Sequence, residues 1–245
     1  MLLLAACWAF APAGRAHGPS QSAADEVARL SERLRSSDEE ERRDAVMALS
    51  ALRTLSAIPH ITPLVNDSAE EVRAAAIAAL GTYGDPSSAQ VIADRLAQDK
   101  SIFVRKTAAY SLGKLRTAAA TGPLVAALKD KSEDVRGAAA VALGEYRDAA
   151  AIDPLMSALS DKNDFVRGRA ARALGNNGPA AAAAVPRLIR LLETDREPYS
   201  RQEAVVALGM IGDRSAIPSL TRASRDPNPY IAAAALSAIR SIEKK

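Results

Sequence analysis

The feature that most constrains the fold of this chain is an aspartate that recurs about every 31 residues. The six aspartates are Asp67, Asp99, Asp130, Asp161, Asp195 and Asp226. Their successive separations are 32, 31, 31, 34 and 31 residues, and Ser36 stands 31 residues before the first of them. A unit of this length cannot bury its own apolar face, so the pattern predicts a stack of similar units. We call these seven positions anchors. Every other position in a repeat is named by its offset, the number of residues by which it follows its anchor.

Other residue types recur at fixed offsets from the anchors. Offset six carries an arginine in the first six repeats: Arg42, Arg73, Arg105, Arg136, Arg167 and Arg201. In the seventh repeat Ala232 stands at this offset. Offset nine carries an alanine in all seven repeats: Ala45, Ala76, Ala108, Ala139, Ala170, Ala204 and Ala235. Offset thirteen is leucine in six repeats, and offset fourteen is glycine in five. So regular a pattern indicates one structural role for each offset.

These offsets predict a helix that follows each anchor. The anchor side chain is expected to cap the helix, and the apolar offsets five, nine, twelve, thirteen and sixteen form one face. The alanine lets a neighbouring helix approach, and the glycine is expected to lead the chain out of the helix. A second apolar helix follows, with a proline near its start at Pro123, Pro154, Pro186 and Pro218. With 23–34 as the first partner helix, we predict an all-α solenoid of about seven stacked helix pairs.

The first residues have the pattern of an export signal. Residues 1–13 read MLLLAACWAFAPA, an apolar run too short to span a bilayer as a mature helix. We therefore predict a signal peptide over 1–18, a solenoid over 19–245, and export to the periplasm or cell envelope. No Lys or Arg precedes the apolar run, so an apolar N-terminus on a cytoplasmic protein remains an alternative. Cys7 ends a sequence similar to a lipoprotein box and is a candidate lipid anchor.

The repeat resembles the short HEAT repeats of bacterial proteins, the class also found in phycobilin lyase subunits. The VRxxAAxALG pattern of that class occurs in 135–144, and in 72–81 with Ile77 at the second alanine. The resemblance covers about 23–245. It implies a series of ion pairs, here called the ladder, between anchor aspartates and arginines of the same or adjacent repeats. Its members would be Asp67, Arg73, Asp99, Arg105, Asp130, Arg136, Asp161, Arg167, Asp195 and Arg201. It also implies that the helix following each anchor lines a concave face.

Candidate binding residues occupy the offsets of that helix that are expected to be exposed. Of the seven aromatic residues after residue 18, four share offset four: Phe103, Phe165, Tyr199 and Tyr230. Nearby exposed offsets carry Lys106, Tyr110, Lys114, Arg169 and Arg172. Aromatic and arginine side chains dominate binding hot spots, so we predict a groove for a protein segment of acidic and apolar character. The alternative is that each aromatic ring only covers the start of its helix.

The charge of the chain is unevenly distributed. Residues 17–98 contain 8 Arg, no Lys and 13 acidic residues, whereas 99–245 contain 23 basic and 16 acidic residues. The acidic residues of the first repeats include Glu39, Glu40, Glu41, Glu70 and Glu71. They could contact a basic partner or form a solvated face. The overall charge of +3 is too small to indicate a nucleic-acid-binding protein.

The sequence lacks the residue patterns of the common catalytic and metal sites. His17 and His60 are the only histidines, Cys7 is the only cysteine, and there is no HExxH, CxxC or GxSxG motif. We therefore predict a non-catalytic scaffold without a cofactor or a transmembrane segment, whose partner is another protein or peptide. Two alternatives stay open, an accessory subunit for cofactor attachment, as in phycobilin lyases, and a HEAT-like nucleic-acid binder.

Overall fold

A computed structural model describes residues 19–244, and over these residues it contains fourteen α-helices and no strand. The even-numbered helices follow the anchors: α2 (Glu39–Ala51), α4 (Glu70–Tyr83), α6 (Ile102–Leu115), α8 (Glu133–Tyr146), α10 (Asp164–Asn176), α12 (Pro198–Ile211) and α14 (Pro229–Glu243). The odd-numbered helices are α1 (Pro19–Arg33), α3 (Ile58–Ile61), α5 (Ala89–Gln98), α7 (Ala118–Ala127), α9 (Ile152–Ala158), α11 (Val185–Thr194) and α13 (Ile217–Ala223). The predicted solenoid of seven helix pairs is confirmed. The signal-peptide prediction and Cys7 lie outside the described residues.

The core is a continuous column that runs through the stacked repeats. The leucines at offset thirteen are fully buried in all six repeats that have one: Leu49, Leu80, Leu112, Leu143, Leu174 and Leu208. The alanines at offset nine are equally inaccessible, including Ala139 and Ala170. Each even-numbered helix packs on the next one, while most odd-numbered helices contact one another less. No helix in the described part of the chain has the length and hydropathy needed to cross a membrane.

The glycines at offset fourteen have a different role from the one the sequence suggested. They do not end the helices: Gly144 lies inside α8, and a Cβ atom built on it would sit 2.7 Å from the Cα of Ala173. Gly81, Gly113, Gly175 and Gly209 make the same kind of close approach to the next even-numbered helix. Several helices end instead at left-handed residues, Gly84 after α4, Arg116 after α6, Arg147 after α8 and Gly212 after α12.

Two further expectations about helix starts need correction. The residue in the N-cap position stands two after the anchor, as Ser101 does after Asp99. The anchor carboxylate accepts the backbone N–H of that residue, at 2.9 Å for Ser101, so the anchor shapes the turn before the helix. Pro186 and Pro218 lie in the first turn as expected, but Pro123 lies inside α7. Short 3-10 turns precede several odd-numbered helices, for example Ala149–Ala151 before α9.

Candidate partner-binding face and arginine ladder

The arginine at offset six joins each repeat to the next. Its guanidinium reaches the anchor aspartate of the following repeat: Arg42 to Asp67, Arg73 to Asp99, Arg105 to Asp130, Arg136 to Asp161, Arg167 to Asp195 and Arg201 to Asp226. In the first five pairs Nε and Nη2 donate to the two oxygens of one carboxylate, as in Arg73, at 2.8 and 3.0 Å. This two-bond geometry makes each pair directional as well as charged.

The same arginines also hold the turn of their own repeat. Nη1 of Arg73 donates to the backbone carbonyl oxygens of Asp67 and Ser68, at 2.9 and 3.0 Å. Burial alone would raise the pKa of the Asp99 carboxyl, but the bonds from Arg73 and the Ser101 N–H lower it below its usual value. The Asp99 hydrogen bond raises the pKa of Arg73. Both groups therefore stay charged in a pair whose side chains are 6% and 2% exposed.

The last pair of the ladder is weaker than the others. Arg201 donates one hydrogen bond to Asp226, from Nη2 at 2.9 Å. Its Nε atom is buried and has no hydrogen-bond partner among the described residues. The two side chains are 23% and 13% exposed, more than those of Arg73 and Asp99. The ladder therefore ends in a pair with fewer hydrogen bonds and greater exposure, next to the position where Ala232 replaces the arginine.

The structure places the four aromatic residues of offset four in the first turn of even-numbered helices, where three of them are largely exposed. Phe103, Phe165 and Tyr230 are 51%, 56% and 73% exposed. Tyr199 is half-buried, and its ring centroid lies 5.2 Å from that of Phe165. A Cβ atom built on Gly168 would meet the Tyr199 ring at 2.4 Å, so this glycine makes room for it. Packing therefore accounts for Tyr199 but leaves the other three rings exposed.

The cationic residues of this face are not all free. Arg172 on α10 forms a two-bond ion pair with Glu203 on α12, with Nη2 donating to Oε1 at 3.1 Å. Burial raises the pKa of Tyr199, and the Glu203 charge raises it further. Arg169 lies across Gly137 of α8, and Lys114 of α6 is exposed while Lys106 is half-buried. Only Arg172 among the four predicted cationic residues is neutralised by a partner within the described chain.

Sequence reasoning missed Glu203, which is buried beside Arg172. A signal was present, because a carboxylate at offset eight of one repeat faces an arginine at offset eleven of the repeat before it. Phe165, Arg172, Tyr199 and Glu203 form one contact group on α10 and α12. The α6 residues Phe103, Lys106, Tyr110 and Lys114 are separated from that group by α8, so the predicted residues occupy two areas. Within 19–244, no group of His, Cys, Asp or Glu residues is arranged to hold a metal ion.

Comparison with known families assigns the repeats. A family model described as HEAT repeats matches 27–113, 93–175 and 152–240. The chain belongs to the HEAT-repeat family. A comparison with curated protein sequences gave no significant match.

Solved structures with the same fold share about a fifth of the sequence. The complex of CpcE and CpcF of phycocyanin lyase from Nostoc sp. PCC7120 is 20% identical, with 96% of this chain and 99% of that chain covered and a TM-score of 0.56. The E. coli protein YibA is 20% identical, with coverages of 95% and 99% and a TM-score of 0.57. An engineered protein is 21% identical, with coverages of 91% and 70% and a TM-score of 0.55. At these identities the likeness establishes the fold alone.

Proposed function

We propose that this HEAT-repeat protein is a non-catalytic scaffold that binds a protein segment along its even-numbered helices. The observation that carries the proposal is the row of exposed aromatic rings at one repeat offset, Phe103, Phe165 and Tyr230. Phe and Tyr are enriched in the cores of protein–protein interfaces relative to the rest of the surface. Repeat solenoids commonly bind along the layer toward which they curve, and the close glycine contacts of the even-numbered layer support curvature in that direction.

The expected partner segment is acidic and apolar. Lys106, Lys114 and Arg169 have no ion pair within the described residues, so each can meet a carboxylate of the partner. Arg172 is paired with Glu203 and is therefore not expected to meet the partner's charge. The six ladder arginines are also engaged with anchor aspartates, which removes them from any surface for phosphate groups. This arrangement favours a protein segment over a nucleic acid, which needs many unpaired cations.

Affinity capture with a triple variant tests this function. The immobilised protein is compared with Phe103→Ser, Phe165→Ser, Tyr230→Ser in one chain, using quantitative mass spectrometry of the captured proteins. These three rings are exposed, so the variant should keep its helical circular dichroism. We expect a specific partner to be lost by at least tenfold, since removal of three anchor rings commonly costs more than about 1.4 kcal/mol. Tyr199 is left unchanged because its loss would disturb packing.

A matched control removes exposed leucines away from this face. Leu52 and Leu55 lie in the turn after α2 and are 37% and 62% exposed. The Leu52→Ser, Leu55→Ser variant should retain every partner of the wild-type protein. Capture of the same proteins at the same level by the aromatic triple variant would contradict the proposal.

A further inference from the structure

A second surface, distinct from the aromatic face, carries the features of an anion site. A cleft of about 740 Å³ lies between the turn that joins α9 to α10 and the helix α11 with the turn after it. Lys162 projects from the first side, and Arg187, Arg190 and Arg196 project from the second. A volume of this size is typical of pockets for small molecules.

The cationic side chains of the cleft are not neutralised by the fold. Lys162, Arg190 and Arg196 are exposed and form no ion pair within the described residues. Arg187 reaches across the cleft, where its Nη1 donates to the backbone carbonyl oxygen of Met156 at 3.2 Å, and it also has no carboxylate partner among these residues. All four of these basic residues line the open volume.

Carboxylates beside the cleft neutralise only part of its positive charge. Asp195 at the base of the cleft is held by both Nε and Nη2 of Arg167. Asp164 and Glu197 also line the cleft, and neither forms an ion pair within 19–244. Glu193 of α11 does not line the cleft, because it turns to α13 and pairs with Arg222 and Ser219. Five basic side chains and three acidic ones line the cleft, so its lining keeps an excess of positive charge.

The neighbouring cleft of the stack shows that this charge is not a general property of the repeat. Between α7 and α9 a similar cleft of about 440 Å³ is lined by Lys129, Asp153 and Asp161, with no arginine. The positions equivalent to Arg187 and Arg190 are Pro154 and Ser157 on α9. The basic cleft also belongs to the longest repeat, the 34 residues from Asp161 to Asp195, in which a seven-residue 3-10 segment (Gly178–Ala184) stands where the previous repeat has the three residues Ala149–Ala151.

We propose that this cleft binds a small molecule with two or more anionic groups, phosphate or carboxylate, held by Arg187, Arg190, Arg196 and Lys162. Guanidinium groups bind such oxyanions through paired N–H donors, so at least two groups can be held at once. A small ligand fits the observations better than a long polyanion. The cleft is confined to one repeat, and the cleft on the α7 side brings Asp153 and Asp161 rather than further arginines.

Isothermal titration calorimetry with tripolyphosphate and with citrate tests the site and separates the two anion types. The full chain should bind at least one of them at one site per molecule. The Arg187→Gln, Arg190→Gln variant should bind that anion at least tenfold more weakly. The control is Arg214→Gln, Arg240→Gln, which removes the same charge from exposed arginines outside the cleft that form no ion pair in the described residues. Its affinity should stay within twofold of the wild-type value.

Other outcomes would overturn the proposal. Absence of binding for both anions, or equal weakening in the two double variants, would mean that the cleft has no specific role. Tighter binding of an oligoglutamate peptide than of either small anion would contradict the proposal and indicate that the ligand is an acidic peptide chain. The aromatic triple variant should bind the anion normally, so failure of this proposal is distinguishable from failure of the proposed scaffold function.

Discussion

At the scale of single residues, the arginine at offset six connects three parts of the chain. Arg73 binds the carboxylate of the next anchor through two nitrogens and the turn of its own anchor through the third. The anchor in turn accepts the backbone N–H that starts its own helix, as Asp99 does from Ser101. A buried ion pair often adds little net stability, because desolvation offsets the attraction, yet loss of one partner leaves an unpaired buried charge. We infer that the pair recurs because it sets the register between successive repeats.

The same substitution at two arginines of the ladder should lower the free energy of unfolding by different amounts. Arg73→Met leaves the Asp99 carboxylate buried without its partner, and we expect a loss of about 3–5 kcal/mol in the free energy of unfolding. Arg201→Met removes a single hydrogen bond from a more exposed pair, so we expect a loss of no more than about 2 kcal/mol. Urea unfolding followed by circular dichroism measures both. Equal losses would show that burial of the pair does not determine its contribution.

At the scale of helices, glycine sets the spacing of the even-numbered layer. Gly81, Gly113, Gly144 and Gly209 each face a small residue of the next even-numbered helix, which is Ser111 for the first and an alanine for the others. A side chain at these sites would separate the two backbones. The close layer therefore depends on a missing Cβ atom, although glycine lowers helix propensity by about 1 kcal/mol relative to alanine.

Two glycines of α8 allow this explanation to be tested within one helix. A Cβ atom at Gly144 would meet the backbone of Ala173 at 2.7 Å, and we expect Gly144→Ala to destabilise the protein by about 1–3 kcal/mol. A Cβ atom at Gly137 would meet only the flexible end of Arg169, so Gly137→Ala should lie within about 1 kcal/mol of wild type, helped by helix propensity. Thermal unfolding of the two variants gives the comparison. A larger loss for Gly137→Ala would refute the spacing role.

At the scale of the whole molecule, the stack combines equivalent interfaces with unequal surfaces. Gly113 meets Ala142 in one interface and Gly144 meets Ala173 in the next, and the ladder pair is repeated in both. The net charge instead changes sign, from acidic in 17–98 to basic in 99–245. Because the interfaces are equivalent, the stability of each repeat depends only on its contacts with adjacent repeats. The exposed residues can therefore differ from one repeat to the next. The aromatic row and the basic cleft both lie in the basic part.

Removal of one complete period should leave a folded protein. Deletion of 131–161 takes out 31 residues and joins Asp130 to Lys162, so that Arg105 still meets an anchor and Gly113 would face Ala173. We expect a shorter, monodisperse and fully helical solenoid by size-exclusion chromatography and circular dichroism. Deletion of 131–146 alone would remove α8 and expose its partner α7, and we expect aggregation. Aggregation of the 31-residue deletion would contradict the equivalence of the interfaces.

The sequence by itself determined the repeat, the helix count and the buried face. Each of these is local: a period of 31 residues, an apolar stripe and a capping turn are written within one repeat, and stacking is the only way to bury the stripe. The exposed aromatic residues at offset four could be predicted for the same reason, since Phe103, Phe165 and Tyr230 point away from that stripe. Tyr199 could not, because the space it fills is provided by Gly168 of the preceding repeat.

Only the tertiary structure decided which residues meet between repeats. It assigned each ladder arginine to the next anchor, gave the glycines of offset fourteen a spacing role, and paired Arg172 with Glu203. It also collected Lys162, Arg187, Arg190 and Arg196 around one cleft, from positions that no repeat pattern groups together. These contacts depend on the distance and rotation between neighbouring helix pairs. Helix packing sets both quantities, and they have no counterpart in the periodicity of a single repeat.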